Sequence, residues 1–520
     1  MAFFMAILRF WRLLMMIRLV LAQDELLPPD FNRTATRRAK FLRAVLTFAA
    51  PRFKPEKRGR QLSDRIRKYG PSYIKLGQFL ATRPDIIGPA MAADLGHLQD
   101  RLPPFGDREM RRSLAREFET PDAVLADIGA PIAAASIAQV HQAHAPDNPD
   151  ARYAVKILRP GIEETLRGEL AIFRKMARLA EFVLPGIRRL RPVAAVDTLA
   201  LSVMGETDLR REAAALSEIG ENTAQDSGFD VPKVIWEASG KRVLTMQWVD
   251  GLSAADPDAL RAAGHDMRAL ATKLIRVFLT TALRDGFFHA DMHQGNLLVR
   301  ADGTLVAIDF GITARLDSDS RRYLAEILHG FIFRNYTKVA RVHFEAGYVP
   351  AHHSQDAFAQ ALRGVVEPIH DKNADKIAMS RVLNQLFDVT EQFDMETRTE
   401  LLLLQKTMVT VEGVARSFDP QLNIWEAAEP VVADWLKQQF GPQAILRDLQ
   451  RLGFDGLASL RRLPDMLAQI ETGLAALEKI SDAQEQQTSR KPAAWPGWLA
   501  LTATALAGTA LAAHFIKLPL

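Results

Sequence analysis

Three polar side chains in one stretch of the sequence could converge on a single divalent metal ion. Between Asp285 and Gly311, Asp291 and Asn296 are five positions apart, and Asp309 then begins an Asp-Phe-Gly triplet. In a D-x-x-x-x-N loop the acid orients or deprotonates the attacking group of a phosphoryl transfer, and the amide binds metal. Asp309 would be the second ligand, and Mg²⁺ is expected because it prefers oxygen ligands. The alternative is that these are ordinary loop residues at a chance spacing.

A β-hairpin must bring the two expected metal ligands together. The runs NLLV and LVAID are typical of short strands, and the tetrapeptide ADGT at 301–304 joins them. An Asp-Gly pair between two apolar runs is a strong hairpin signal. The hairpin places Asn296 and Asp309 at the same end, as a shared ion requires. We expect His289 to support the loop backbone and His293 to be satisfied within the loop, since Mg²⁺ does not seek imidazole.

A second group of residues has the pattern of a nucleotide site. The strand YAVKIL carries Lys156, as a V-A-I-K strand carries the lysine that supports nucleotide phosphates. A Gly-rich loop would normally precede this strand, but its place is taken by Ala133, Ala134, Ala135 and Ser136. Because the alanine Cβ resists positive φ and close backbone approach, we expect the phosphates to be held differently from those in ordinary protein kinases.

Lys156 needs an acidic partner, and a predicted helix over Asp197–Leu216 could supply it. The three acidic candidates in that helix are Glu206, Asp208 and Glu212. We predict that Glu212 is the partner. The alternative is that the neighbouring Arg210 and Arg211 simply pair with these acids at the surface.

Two further segments complete the predicted site. The strand Arg242–Val249 ends where a hinge between two lobes would offer backbone groups to an adenine edge, so Gln247 and Val249 are candidate nucleotide contacts. The apolar spacing from residue 70 predicts a helix that stops before Pro84. Lys75 and Gln78 share a face of that helix, and the spacing alone assigns this face only to solvent.

The composition is that of a folded globular protein. Of 520 residues, 48% are hydrophobic and 25% are charged. A chain of this length can form two or three domains. The absence of cysteine excludes disulfides, thiolate chemistry and Cys-based zinc sites. Residues 1–70 hold 16 Lys and Arg against 5 Asp and Glu, so with a whole-chain charge of +4 the remainder carries −7. This asymmetry favours an anionic lipid surface as partner, and no motif supports nucleic acid.

Both ends of the chain are predicted to meet a membrane. Three arginines interrupt the apolar residues of segment 1–25, which favours an interfacial helix with snorkelling arginines over a secretory signal. An ordinary docking helix is the alternative. Residues 493–516 carry no formally charged side chain, and as a helix they would extend about 36 Å, enough to cross a bilayer. A buried helix is the alternative there.

These motifs together resemble the UbiB family of atypical, protein-kinase-like proteins, over most of the chain from about Leu26 onward. The K-x-G-Q signature is similar to residues 75–78, the Ala-rich loop to residues 133–136 and the E-x-D element to residues 206–208. The family's β3-type lysine, αC-type glutamate and catalytic and metal residues correspond to Lys156, Glu212, Asp291, Asn296 and Asp309. The resemblance implies that Lys75 and Gln78 lie over the active site, where Lys75 contacts Glu206 or the phosphates and fills the place of a peptide substrate. It also implies that Asp208 contributes to the nucleotide site.

The resemblance implies an α+β, two-lobed protein-kinase-like fold with an N-terminal helical extension, a helix-rich C-lobe and a C-terminal transmembrane helix. The expected divisions are an interfacial segment at 1–25, a helical extension carrying K-x-G-Q at 26–125, an N-lobe with the Ala-rich loop at 126–250, a helical C-lobe with the catalytic loop and DFG at 251–480, a linker at 481–492 and a transmembrane helix at 493–516. Family members often end with two adjacent spans, so a single span here is a departure.

The resemblance also implies a function. It implies binding of ATP or ADP with Mg²⁺, ATPase activity in place of ordinary protein phosphorylation, and a role in ubiquinone (coenzyme Q) biosynthesis at the bacterial inner membrane, with the catalytic body on the cytoplasmic side. The expected partners are anionic membrane lipids, quinone-precursor lipids and other ubiquinone biosynthesis enzymes. The leading hypothesis is an ATPase that makes lipid-soluble quinone precursors accessible to soluble enzymes. A small-molecule or lipid kinase and a nucleotide-binding scaffold are the alternatives.

Overall fold

The computed structural model describes residues 58–81, 102–183, 191–370, 392–395 and 399–440, together with isolated positions before residue 99 and Val389. The predicted transmembrane helix 493–516 lies outside the described residues, and no helix in the described part of the chain has the length and apolar composition to cross a bilayer. A few positions of segment 1–25 are described. Met16 is buried in the main core, and Arg12 Nη1 lies 3.7 Å from Glu169 Oε1, as a docking helix would place them.

In the described part of the chain, helices are interspersed with strands up to residue 315, and the elements after it are helices. The helices are α1 (Arg58–Tyr69), α2 (Pro71–Ala81), α3 (Asp107–Glu117), α4 (Ile162–Val183), α5 (Pro192–Gly205), α6 (Leu209–Thr223), α7 (Pro257–Ala262), α8 (Met267–Thr280), α9 (Ser318–Ile332), α10 (Tyr336–Glu345), α11 (Gln355–His370), α12 (Thr399–Phe418) and α13 (Ile424–Phe440). The strands are β1 (Pro131–Ala134), β2 (Ala138–His144), β3 (Arg152–Leu158), β4 (Phe229–Asp230), β5 (Val243–Gln247), β6 (Leu252–Ser253), β7 (Phe287–His289), β8 (Leu297–Val299), β9 (Leu305–Ala307) and β10 (Thr313–Arg315).

An antiparallel sheet of order β1-β2-β3-β5 carries Lys156 near its centre. Lys156 lies opposite Val140 on β2 and Leu244 on β5. Because side chains alternate between the faces of a strand, Val155 and Ile157 point the other way. There they pack with α3 in a buried apolar cluster. One face of the sheet is therefore fixed by apolar packing, and the other presents the lysine.

Short strands hold the catalytic stretch in place. The β8–β9 hairpin pairs Leu297 with Ala307 and Val299 with Leu305, as the Asp-Gly turn predicts, and Gly303 in that turn has a φ of +79°. The strand β7 pairs with β10, with His289 opposite Thr313. The segment before the catalytic loop and the segment after DFG are therefore neighbours.

The prediction of one helix over Asp197–Leu216 is wrong, because residues 206–208 are not helical and separate two helices. The helix α5 ends at Gly205 and α6 begins at Leu209. Asp208 has extended backbone angles (φ −121°, ψ 93°), and its carboxylate accepts a hydrogen bond from the Arg210 N–H. An Asp at the N-cap satisfies a backbone donor at a helix start, so local side-chain capping overrides the continuous apolar periodicity.

Candidate functional site

The catalytic loop is held by contacts within its own backbone and side chains. The Asp291 N–H donates to Nδ1 of His289 over 3.1 Å, and burial lowers the pKa of His289 to about 4, so its ring is neutral and can accept. The Gly295 N–H donates to Nδ1 of His293 over 3.0 Å. Both histidines therefore have the supporting roles that the sequence predicts. The Asn296 amide Nδ2 donates to the Asp291 carbonyl oxygen over 3.1 Å, which ties the two residues together.

The hairpin brings the DFG segment to the same place. The Ile308 N–H donates to the Asn296 carbonyl oxygen over 3.0 Å, so Asp309 follows directly beside Asn296. The Asp309 carboxylate accepts from the Gly311 N–H over 2.9 Å through Oδ1. The next residue, Phe310, packs its ring on that of His289 with centroids 4.9 Å apart. The catalytic loop and the DFG segment therefore form one contiguous surface.

Lys156 joins the sheet to this surface through two carboxylates. Its Nζ lies 2.6 Å from Glu212 Oε1 and 2.9 Å from Asp309 Oδ2. Burial opposes the charge on Lys156, but the two carboxylates outweigh burial and raise the pKa of the lysine above its usual range. The predicted contact with Glu212 is present. The sequence did not predict the second contact, with Asp309.

The two carboxylates beside Lys156 have different electrostatic surroundings. Burial raises the pKa of Glu212. Desolvation acts in the same direction on Asp309, but the Lys156 ammonium outweighs it and holds the pKa of Asp309 well below its usual range. Asp309 is therefore ionised at neutral pH, which is the form that binds a metal ion.

The residues present fit a Mg²⁺ ion. The ionised Asp309 carboxylate is a hard oxygen ligand, and Asn296 uses its amide nitrogen toward Asp291, so its oxygen Oδ1 can face a cation. Mg²⁺ takes few protein ligands and completes its shell with phosphates and water. Asn296 and Asp309 would hold the ion, and it would neutralise charge on the bound phosphates.

Lys75 is a buried partner of Glu206. Its Nζ lies 2.6 Å from Glu206 Oε2, with side chains that are 10% and 12% exposed. The assignment of this helix face to solvent is therefore wrong, because the face packs against the α5–α6 junction. Nearby, a Cβ at Gly77 would lie 2.6 Å from Leu98 Cδ2. The glycine of the motif therefore permits a close approach. The contact Lys75–Glu206 is one of the two that the resemblance implies, the other being a contact with the phosphates.

Two other predicted site residues do not contact the catalytic loop. Gln78 lies on α2 after Lys75 and is partly buried, and no hydrogen bond within the described residues joins it to the loop. Asp208 caps α6 and accepts from Arg210 Nη2 over 2.7 Å. The surface pairing that we weighed as an alternative therefore describes Asp208, but not Glu206 or Glu212.

The Ala-rich turn connects β1 to β2, and Ala135 is hydrogen-bonded through both its N–H and its carbonyl oxygen. The Ala135 N–H donates to Ala138 O over 2.8 Å, and Arg159 Nη2 donates to Ala135 O over 2.9 Å. Ala133 and Ala134 belong to β1, and Ser136 is buried. The described turn contains no residue with positive φ, in keeping with the steric preference of alanine.

The predicted hinge lies at the end of β5, which is shorter than expected and ends at Gln247. The Gln247 N–H already donates to Lys233 O over 2.8 Å, so the backbone donor of this residue is engaged within the protein. Val249 follows the strand and is partly exposed.

Lys406 is a site residue that no sequence pattern indicated, and the structure brings it to Asp291. Its Nζ, on α12, lies 3.0 Å from Asp291 Oδ1. The residues around Lys406 form a largely apolar helix, and no local motif marks the lysine. Only the three-dimensional contact reveals it.

Comparisons with known proteins agree with this architecture. The ABC1 atypical kinase-like domain matches residues 97–343, and the UbiB helical domain matches residues 362–423. A Mycobacterium tuberculosis protein, solved as a complex with erythromycin, is similar in structure with a TM-score of 0.52 and 25% identity. The similarity covers 72% of this chain and 96% of that protein.

Curated relatives cover most of the chain. A Marinobacter nauticus protein named "Probable protein kinase UbiB" is 36% identical over 87% of this chain and 85% of its own length. Proteins of the same name from Tolumonas auensis and Aeromonas hydrophila are each 35% identical over 89% and 88% of this chain, and 86% and 85% of their own lengths. With this extent of identity and both domains matched, the chain belongs to the UbiB family and contains an ABC1 atypical kinase-like domain.

Proposed function

We propose that this protein is a membrane-anchored, kinase-like ATPase that binds Mg-ATP and supports ubiquinone biosynthesis. In this role it makes lipid-soluble quinone precursors accessible to biosynthetic enzymes. The observation that carries the nucleotide part is the position of Lys156, which contacts both Glu212 and Asp309 beside the Asp291–Asn296 loop. The membrane part rests on the basic amino-terminal region and the apolar segment 493–516.

The geometry suits hydrolysis of the terminal phosphate. Lys156 would bind the phosphates from the sheet side, and Asp309 and Asn296 would hold Mg²⁺. Asp291 would orient a water molecule, whose oxygen forms a bond to the γ-phosphorus. The bond from that phosphorus to the β–γ bridging oxygen breaks, and its electron pair leaves with ADP. The water proton passes toward Asp291 and then to solvent, giving ADP, phosphate and a proton.

The buried contact of Lys75 with Glu206 favours a small acceptor over a peptide. Glu206 directly precedes the residues that start α6, the helix that carries Glu212. A lysine of α2 therefore braces the junction from which the Lys156 partner projects. With α2 packed at this position, water or a small molecule is a better acceptor than a protein chain.

We expect the purified full-length chain to hydrolyse ATP only when Mg²⁺ is present, because the two ligands need the ion to hold the phosphates. Phosphate release should stop with EDTA and return with added Mg²⁺. Vesicles containing anionic lipid or a quinone-like lipid should increase the rate. Absence of both hydrolysis and Mg-ATP binding in the presence of such vesicles would contradict the proposal.

A small-molecule or lipid kinase is the second candidate, since the similar Mycobacterium tuberculosis protein was solved with erythromycin, a small molecule. The two functions differ in where the γ-phosphoryl goes. With labelled ATP and a lipid extract, an ATPase releases labelled phosphate to water. Label found in an extracted lipid would favour the kinase.

A further inference from the structure

The ammonium group of Lys406 contacts the Asp291 carboxylate, and this ion pair contributes little to the stability of the fold. The Lys406 Nζ lies 3.0 Å from Asp291 Oδ1, and the lysine side chain is 38% exposed. An ion pair this exposed contributes at most about 1 kcal/mol to folding. A lysine next to the acid that orients the attacking group is, however, well placed to act on the reaction.

The helix that carries Lys406 is fixed against the catalytic loop on both sides of the acid. The hydroxyl of the fully buried Thr407 lies 2.9 Å from the Ala290 carbonyl oxygen and 2.7 Å from the Leu403 carbonyl oxygen of its own helix, so its proton is shared between the two. Gln294 Nε2, on the loop, donates to Ser417 Oγ near the end of α12 over 2.9 Å. Apolar residues of α12 complete this attachment through the main core. The rotation of α12 is therefore set, and Lys406 projects from a rigid element.

The catalytic stretch has no lysine or arginine of its own at this position, and its nearest basic side chain is His293, with Nε2 3.8 Å from Asp291 Oδ2. Between residues 285 and 311 the sequence contains one lysine or arginine, Arg300. Its Nη1 lies 2.6 Å from Asp230 Oδ2, at the turn end of the hairpin. Lys156 is held between two other carboxylates. In the part of the chain that the structure describes, Lys406 is the lysine or arginine that contacts Asp291.

Resting on the proposed function, we infer that Lys406 is a catalytic residue whose ammonium group binds oxygens of the transferring phosphoryl group. Catalysis of phosphoryl transfer is mainly positioning and electrostatic stabilisation of the phosphoryl oxygens. The ammonium is a compact point charge that suits this task. It keeps all its protons during the transfer, so the bonds made and broken are those of the hydrolysis above.

This inference gives the helical region a direct part in the chemistry. Lys406 lies in the segment that matches the UbiB helical domain, beyond the segment that matches the kinase-like domain. The active site is therefore incomplete in the kinase-like domain alone, and α12 supplies its missing cation. The rival role is a restraint, in which Lys406 neutralises Asp291 and slows the reaction. The two roles predict opposite effects of removing the charge.

The test compares binding of Mg-ADP with binding of Mg-ADP plus aluminium fluoride, a mimic of the transferring phosphoryl group. The full-length chain is used in detergent, as wild type, Lys406→Met and Lys406→Arg. We expect Lys406→Met to bind Mg-ADP as tightly as the wild type does. The factor by which aluminium fluoride increases the affinity should be at least about tenfold smaller in this variant. The turnover number of ATP hydrolysis should fall by a similar factor. Lys406→Arg keeps the charge and should retain most of both.

The matched control is Lys437→Met, which removes an exposed lysine from the neighbouring helix α13 and should change neither quantity. Unchanged Mg-ADP affinity in Lys406→Met shows that its site is folded. If Lys406→Met gains as much affinity from aluminium fluoride as the wild type, or hydrolyses ATP equally fast or faster, the inference is overturned. If the wild type itself binds no Mg-ADP, the proposed function fails, and this inference fails with it for that distinct reason.

Discussion

Replacing Asp309 with asparagine should reduce Mg²⁺-dependent ATP hydrolysis by at least about 100-fold. The residue before Asp309 is hydrogen-bonded to Asn296 through its backbone, and the Asp309 carboxylate lies 2.9 Å from Lys156 Nζ. The pKa of Asp309 is held low, so the carboxylate is charged when the metal binds. The neutral amide is a poorer ligand for a hard cation. A bound metal stabilises the charge of the transition state by several kcal/mol. Each 1.36 kcal/mol added to the activation free energy lowers the rate about tenfold. Phosphate release at saturating Mg-ATP measures the effect.

The control for this variant makes the same change elsewhere on the hairpin. Asp302 is exposed in the β8–β9 turn and accepts from the Thr304 N–H over 2.9 Å. Asparagine can make the same turn contact, so Asp302→Asn should keep wild-type activity. Wild-type hydrolysis in a folded Asp309→Asn variant would mean that Asp309 does not bind the catalytic metal.

Replacing Lys75 with methionine should lower the free energy of unfolding by about 3–5 kcal/mol. The change leaves the Glu206 carboxylate buried beside an apolar side chain, and removing one member of a buried ion pair has a cost of this size. The loss should be partly reversed by adding Glu206→Gln, because the second change removes the carboxylate charge that Lys75 no longer balances. Denaturant unfolding of the full-length protein, followed by circular dichroism, measures all three variants.

Lys68→Met is the control for the lysine substitution, since Lys68 is exposed on the preceding helix α1. Its effect should be within about 0.5 kcal/mol of zero, as for most surface changes. If Lys75→Met is as stable as Lys68→Met, the contact with Glu206 does not brace the α5–α6 junction. In that case α2 would not stabilise the start of the helix that carries Glu212.

Local signals predicted the parts of the site whose chemistry is local. The Asp-Gly turn predicted the β8–β9 hairpin, and the hairpin placed Asn296 next to the DFG segment. Glu212 was chosen as the partner of Lys156 from the three acidic residues of the predicted helix over 197–216, and the structure contains that contact. In these cases a turn, a strand period or a helix face carries the information within a few residues.

The sequence was insufficient where distant segments decide the environment. Lys75 and Gln78 looked solvated because nothing near them in the chain shows that Glu206 packs over Lys75. The helix over 197–216 looked continuous because apolar spacing does not show that the Asp208 side chain caps a new helix there. Lys406 was missed because 115 positions separate it from Asp291 and its neighbours look like ordinary core.

The most direct test of the central claim is the position of the metal ion in a crystal grown with Mn²⁺ and a non-hydrolysable ATP analogue. Mn²⁺ replaces Mg²⁺ and can be located by its anomalous scattering. We expect one ion at bonding distance, about 2.1 Å, from Asn296 Oδ1 and the Asp309 carboxylate, and in contact with the phosphates. Bound nucleotide whose metal ion contacts neither residue would contradict it.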